Sequence, residues 1–207
     1  MARLTDRILR RVRGHGRGNW VCTPKDFLDL GSRAAVDQAL SRLVKRGQLR
    51  RIGRGLYDLP RYSRLLKRSV PPRMNTVVAA LARREGARIM PDTLTAANGL
   101  GLTDAVPAKA SYVTDGRSRT LNVAGRTIYL RHASRRLMAW SDRPAAPVIQ
   151  VLNWLGKDLA DDPKTIDALR ARLPDVVKRD LRSGFRDLPS WAIPIVNDIT
   201  SVGRAVV

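Results

Sequence analysis

The stretch GSRAAVDQALSRLVKRGQLRRIGRGLYDLP, Gly31 to Pro60, decides the fold. It reads as a helix that stops at a glycine and is followed at once by a short basic hairpin. Ser32 is placed to cap the helix start, and Gly47 follows the last periodic residue, where the left-handed closing conformation is easiest for glycine. Val36, Ala39, Leu40 and Leu43 fall at i, i+3, i+4 and i+7, so they share one face that would be buried. The opposite face carries Ala34, Gln38, Ser41 and Lys45, with Arg42 beside it. Small and hydrogen-bonding residues backed by cations suit a helix in a DNA major groove, because bulk would block approach while Gln, Ser and Arg can address base edges. Taken alone, the same pattern also fits a solvated helix face.

The hairpin tips that balance. Leu49 to Ile52 and Leu56 to Leu59 are short strand-like runs, and Gly53 and Gly55 around Arg54 allow a tight turn. Arg50, Arg51 and Arg54 then crowd one protrusion, where they repel one another unless anions are present. A capped helix with a polar outer stripe, followed by a basic hairpin, is the pattern of a winged helix-turn-helix.

Upstream, Leu4 to Arg13 reads as a first helix with Leu4, Ile8, Leu9 and Val12 on one face, and GHGRGN after it as a flexible link holding a solvated His15. Trp20 to Cys22 can supply a strand to the hairpin sheet. Thr23-Pro24 is a strong helix start, so a second helix is expected from Pro24 to Leu30 with Phe27, Leu28 and Leu30 as core residues. Downstream, RYSRLLKRSVPPRMN, Arg61 to Asn75, reads as a solvated boundary segment, with Leu65 and Leu66 free to dock on either domain. The expected division is 1–68 and 69–207.

The second domain is expected to open with helices at Thr76–Arg84 and Thr93–Leu100 around a strand at Ala87–Met90. Ala110–Thr114, Arg119–Val123 and Thr127–Leu130 read as an antiparallel meander, and Ser111, Tyr112, Asp115 and Arg117 fit a nucleotide site or, equally well, a polar hairpin turn. Helices follow at Arg136–Trp140, Val148–Leu155, Thr165–Leu173, Val176–Phe185 and Trp191–Val202. The fold class is therefore α+β: an N-terminal winged helix-turn-helix domain, then a mixed C-terminal domain with a small meander and a helical tail.

Charge points to a polyanionic partner. The formal net charge is +21, from 39 Lys and Arg against 18 Asp and Glu, and Glu85 is the only glutamate. Residues 1–68 hold 18 of the cations and 5 of the acids, so the excess is densest around the hairpin. Cys22 is the single cysteine, which excludes an intrachain disulfide, and two histidines with one thiol are too few for a structural zinc site. No apolar run approaches a membrane span and no leader-like apolar region is present, so a cytoplasmic location is expected. The chain has no P-loop, dinucleotide-binding glycine loop or GxSxG elbow. Asp161-Asp162 before Pro163 is more simply a helix cap than a metal-binding pair. No enzyme and no cofactor are expected; an RNA-binding module or a nucleic-acid-processing enzyme remain the alternatives.

Residues 23 to 60, with the run ALSRLVKRGQLRRIGRGLYDLP, resemble the N-terminal winged helix of the AbiEi-like antitoxins of bacterial type IV toxin–antitoxin systems. The run RIMPDTLTAANGLGLTDAVPAKASYVTDGRSRTLNVAGRTIYLRHAS resembles the segment that follows it in a subgroup of that family, so the resemblance spans roughly residues 4 to 140. It implies an autoregulatory antitoxin, encoded beside a nucleotidyltransferase-like toxin, that binds inverted repeats in double-stranded DNA near its own promoter; reading inverted repeats takes two copies on the DNA, whether or not they pair beforehand, and no membrane partner is expected. Base reading would fall to Ala34, Gln38, Ser41 and Arg42, with Ser32 and Arg33 at the helix start. Phosphate contact would fall to Lys45, Arg50, Arg51 and Arg54.

Overall fold

The computed structural model describes residues 3–65, 67–105 and 109–201. It has an α+β architecture of helices and small sheets, and its contacts divide the chain into two units. The first comprises Met1–Ala87 with Thr120–Ile128, the second Arg88–Arg119 with Tyr129–Val207.

In the first unit, α1 (Leu4–Gly14) buries Ile8, Leu9 and Val12, the apolar stripe expected from their spacing. β1 (Val21–Cys22) leads into a 3-10 turn at Pro24–Phe27, and α2 (Arg33–Lys45) follows. Val36, Ala39, Leu40 and Leu43 of α2 are buried with Ile8, Val12, Phe27 and Leu49 in one core. The expected second helix is thus shorter and tighter than an α-helix. Asp26 accepts from the Thr23 backbone N–H at 2.8 Å, and Leu28 and Leu30 donate back to Lys25 and Phe27, three residues earlier. Phe27 is fully buried, whereas Leu28 faces solvent.

α2 ends as its glycine predicts. Gly47 has φ of 67°, and the N–H groups of Gly47 and Gln48 reach the carbonyls of Val44 and Leu43, both at 2.9 Å. β2 (Arg50–Gly53) and β3 (Leu56–Asp58) then form the basic hairpin around Arg54-Gly55, and β1 joins on the other side of β3 in the order β1-β3-β2.

The segment read as a solvated boundary instead continues the first unit. β4 (Arg61–Ser63) and β5 (Arg68–Val70) make a second hairpin, with Tyr62 opposite Ser69. Leu65 is 92% exposed and docks on neither unit; Leu66 lies outside the described residues. α3 (Met74–Glu85) also belongs here, because Arg83 bonds the Val21 carbonyl at 2.8 Å and Asp26 at 3.1 Å while Arg84 holds the Arg54 carbonyl. The contact boundary accordingly falls at Ala87, not at residue 68.

The second unit contains β6 (Ile89–Pro91), α4 (Thr93–Gly99) and β7 (Ala110–Thr114), together with the shared hairpin of β8 (Arg119–Val123) and β9 (Arg126–His132). The strands form where expected, yet their order is β6-β7-β9-β8. The meander is therefore corrected: β9 lies between β7 and β8. The turn after β7 is held by Thr114 and Asp115, whose carboxylate takes the Arg88 N–H and Nε at 2.8 and 2.9 Å, while Ser118 and the Gly116 carbonyl bind His132.

The helical tail comprises α5 (Arg135–Met138), α6 (Ala146–Ala160, broken at Gly156), α7 (Pro163–Arg172), α8 (Asp175–Ser183) and α9 (Ala192–Thr200). They surround a core of Trp140, Ile149, Leu152, Leu169, Leu181 and Ile199. Asp162 caps α7 by accepting from the Thr165 N–H at 3.0 Å, the capping role read from the sequence. The expected last helix closes at Thr200, and Val202 lies outside the described residues. Among the described residues no helix is long and apolar enough to cross a membrane.

Two outcomes follow for the second unit. A Cβ on Gly184 would clash directly with the Trp140 ring and lie 2.6 Å from the Arg143 guanidinium, which itself stacks on Trp140 and binds Asp180. Gly184→Ala should therefore lower stability by about 1–3 kcal/mol in urea unfolding. Burial acts to raise the Asp115 carboxyl, but the Arg88 hydrogen bonds outweigh it and hold the group below its ordinary value. The stabilisation is complete above the ordinary carboxylate range and disappears as pH falls through the depressed value. An NMR titration should show the Asp115 midpoint moving upward in Arg88→Ala.

Candidate nucleic-acid interface

The outward face of α2 is built by its buried one. With Val36, Leu40 and Leu43 fixed in the core, Ala34, Gln38, Ser41, Arg42 and Lys45 are turned to solvent, and all five are exposed. Gln38, Ser41, Arg42 and Lys45 have no side-chain hydrogen bond or ion pair among the described residues. Ser32 and Arg33 differ. The Ser32 hydroxyl accepts from the Ala35 N–H at 3.3 Å, and Arg33 binds Asp37 at 2.8 Å one turn on. Both therefore support the helix itself, the first contributing about 1 kcal/mol as a cap.

The three arginines of the hairpin separate into different roles. Arg50 faces Asp58 across the ladder and binds it through two nitrogens, Nε at 3.0 Å and Nη2 at 2.6 Å; the same Nη2 reaches the Val70 carbonyl at 3.1 Å. Asp58 is fully buried. Arg50, expected on phosphates, is half-buried and spends its guanidinium on these internal acceptors, so the repulsion expected at the hairpin is relieved at this rung by an internal carboxylate. Arg51, one residue on, points to the other face of the strand and is exposed, its Nε only 3.4 Å from the Gly53 carbonyl. Arg54 is exposed at the turn, where Gly55 has φ of 66°.

The hairpin is supported from its outer edge. β2 is the edge strand of its sheet, and the Ala124 N–H at the β8–β9 turn donates to the Ile52 carbonyl at 2.8 Å. This contact left no trace in local sequence patterns, since 72 residues separate the partners. Tyr57 on β3 ties the hairpin to α2. Burial raises its phenol above the ordinary value, and the charges of Arg51, Asp37 and Arg33 all act on it. Arg51 faces Tyr57 across the ladder.

Other cations position the scaffold. Arg11 of α1 grips Asp29 through two nitrogens at 2.8 and 2.6 Å and the Asp26 carbonyl at 2.7 Å. That pairing raises the Arg11 guanidinium and lowers the Asp29 carboxyl. His15 stacks on Trp20 at 4.1 Å, and the buried Cys22 thiol is pushed up by desolvation. Arg46, exposed just past α2, adds a cation that the pattern analysis passed over because it follows the periodic run.

The sequence profile that matches this chain covers residues 7–180, more than four-fifths of it and parts of both units. The chain belongs to the family of unknown function DUF6088. Searches of curated proteins and of solved structures return no match. The family description carries no activity, so for this DUF6088 chain the geometry of the exposed helix and hairpin is the basis for a functional reading.

The division among the arginines predicts contrasting variants. Arg50→Ala leaves a buried carboxylate without its partner and should cost about 3–5 kcal/mol in chemical denaturation, whereas Arg51→Ala should stay within about 0.5 kcal/mol of wild type.

Proposed function

We propose that the first unit is a winged helix-turn-helix that binds double-stranded DNA, with α2 as the recognition helix and the β2–β3 hairpin as the wing. The observation that carries this reading is the row Gln38, Ser41, Arg42 and Lys45: exposed, without partners among the described residues, on a rigidly capped helix whose inner face is core. Gln and Arg present the bidentate donor and acceptor patterns that discriminate A·T from G·C in the major groove, and Ser41 and Ala34 let the helix approach closely. Lys45, Arg51 and Arg54 supply phosphate contacts around it. Arg50 is reassigned from phosphate contact to holding the wing.

The biological setting we propose is the one implied by the resemblance to AbiEi-like antitoxins. The protein represses its own promoter at inverted repeats, in two copies, and counteracts a nucleotidyltransferase-like toxin encoded beside it. The strong positive charge supports the DNA-binding part of this reading. The toxin part rests on the resemblance alone, and an adjoining nucleotidyltransferase-like gene is the observation that supports or removes it.

Gln38→Ala and Arg42→Ala should relax base preference by about 1–3 kcal/mol per lost contact while leaving the salt dependence nearly unchanged for Gln38→Ala. Arg51→Ala and Arg54→Ala should instead weaken binding to every duplex and reduce the slope of log K against log salt by about 0.9 each. Titrations of labelled duplexes across a salt series check both. A recognition-helix variant that keeps wild-type discrimination would remove α2 from base reading.

A further inference from the structure

Between Asp58 and Glu85 the chain carries seven Lys and Arg and no acidic residue. Four of these cations, Arg61, Arg64, Lys67 and Arg68, belong to the β4–β5 hairpin, and all four are exposed without an ion pair among the described residues. Leu65 stands at the tip, 92% exposed. An apolar side chain in water stabilises nothing in the fold, and clustered cations without acids repel one another.

The turn holds a second oddity. Lys67 has φ of 48°, a left-handed conformation that glycine adopts without penalty and lysine does not. The Cβ of any side chain at this position works against folding, so the lysine is not there for the turn's conformation.

The hairpin has a fixed base and a definite reach. Arg50, held by Asp58, donates to the Val70 carbonyl at 3.1 Å, so the clamp that shapes the first wing also anchors β5. Strands of three residues at about 3.3 Å per residue extend about 10 Å, more than the roughly 7.5 Å depth of a DNA minor groove. Ladder partners share a face, so Arg61 and Arg68 lie together on one side of the ribbon and Tyr62 on the other.

We propose that β4–β5 is a second DNA-contacting hairpin. Its tip enters a minor groove, Leu65 is pressed against a base step as an apolar wedge, and Arg61, Arg64, Lys67 and Arg68 hold the flanking phosphates. Such wedges unstack a step and bend the duplex, and narrow grooves concentrate the negative potential that attracts the cations. This proposal rests on the reading of the first unit as a duplex-binding domain.

The test uses the full chain and a duplex from its own upstream region, end-labelled with a fluorescent donor and acceptor, titrated across salt. Combined Arg64→Ala, Lys67→Ala and Arg68→Ala should lower the slope of log K against log salt by about 2.7, at 0.9 per phosphate contact. Leu65→Ser should keep that slope and lose the protein-induced rise in energy transfer. Lys67→Gly should melt no lower than wild type yet lose about 0.9 of slope, which separates a binding defect from a folding defect. If these variants keep wild-type slope and energy transfer while Arg51→Ala still weakens binding, the second hairpin is overturned and the duplex-binding reading stands. A wild-type chain that binds no duplex overturns both.

Discussion

A single buried carboxylate organises the hairpin side of the first unit. Asp58 is fully enclosed, and an ion taken out of water carries a penalty of several kcal/mol unless close, well-aligned partners offset it. Arg50 supplies two short charge-assisted bonds to it and spends its remaining donor capacity on the Val70 carbonyl. Three strands, β2, β3 and β5, are thereby referred to one ion pair. The pair sets where Arg51 and Arg54 protrude, because β2 cannot slide against β3 without breaking it, and a slip of one residue would turn every side chain to the opposite face.

The same logic separates structural from available cations. Of the five acids in residues 1–68, Asp26, Asp29, Asp37 and Asp58 are each bound by one arginine, respectively Arg83, Arg11, Arg33 and Arg50. These pairs fasten α3, α1, the start of α2 and the β2–β3 hairpin. The remaining cations of α2 and of the two hairpins have no acid to meet. Their field is directed outward, where it raises the local concentration of a polyanion and speeds encounter at low salt. The functional proposal thus depends on which arginines are left over, more than on how many there are.

Most of α2 was legible because its determinants are local: a capping serine, a closing glycine and a four-residue apolar stripe. The role of Arg50 was hidden because it depends on cross-strand register. The turn at Arg54-Gly55 alone would place residue 50 opposite residue 59; the irregularity between Arg51 and Gly53 shifts the register by one and brings Arg50 opposite Asp58, whereas local pattern shows only three clustered arginines. Seven residues from Pro24 to Leu30 are too few for periodicity to separate an α-helix from a 3-10 turn. Pro71 and Pro72 suggested a linker, yet β5 ends before them, and its anchor comes from Arg50, twenty residues away. Strand positions in the second unit were legible and strand order was not, since alternation encodes faces and carries no information on neighbours.

The central claim is that the exposed face of α2 reads sequence in duplex DNA. The most direct measurement is a competition titration of the wild-type chain between its own upstream duplex and a scrambled duplex of the same length and base composition, repeated from low to physiological salt. The account predicts that the preference for the upstream duplex persists as salt rises while non-specific binding falls away, reaching about 10³-fold or more. Equal affinity for the two duplexes at every salt concentration would contradict it.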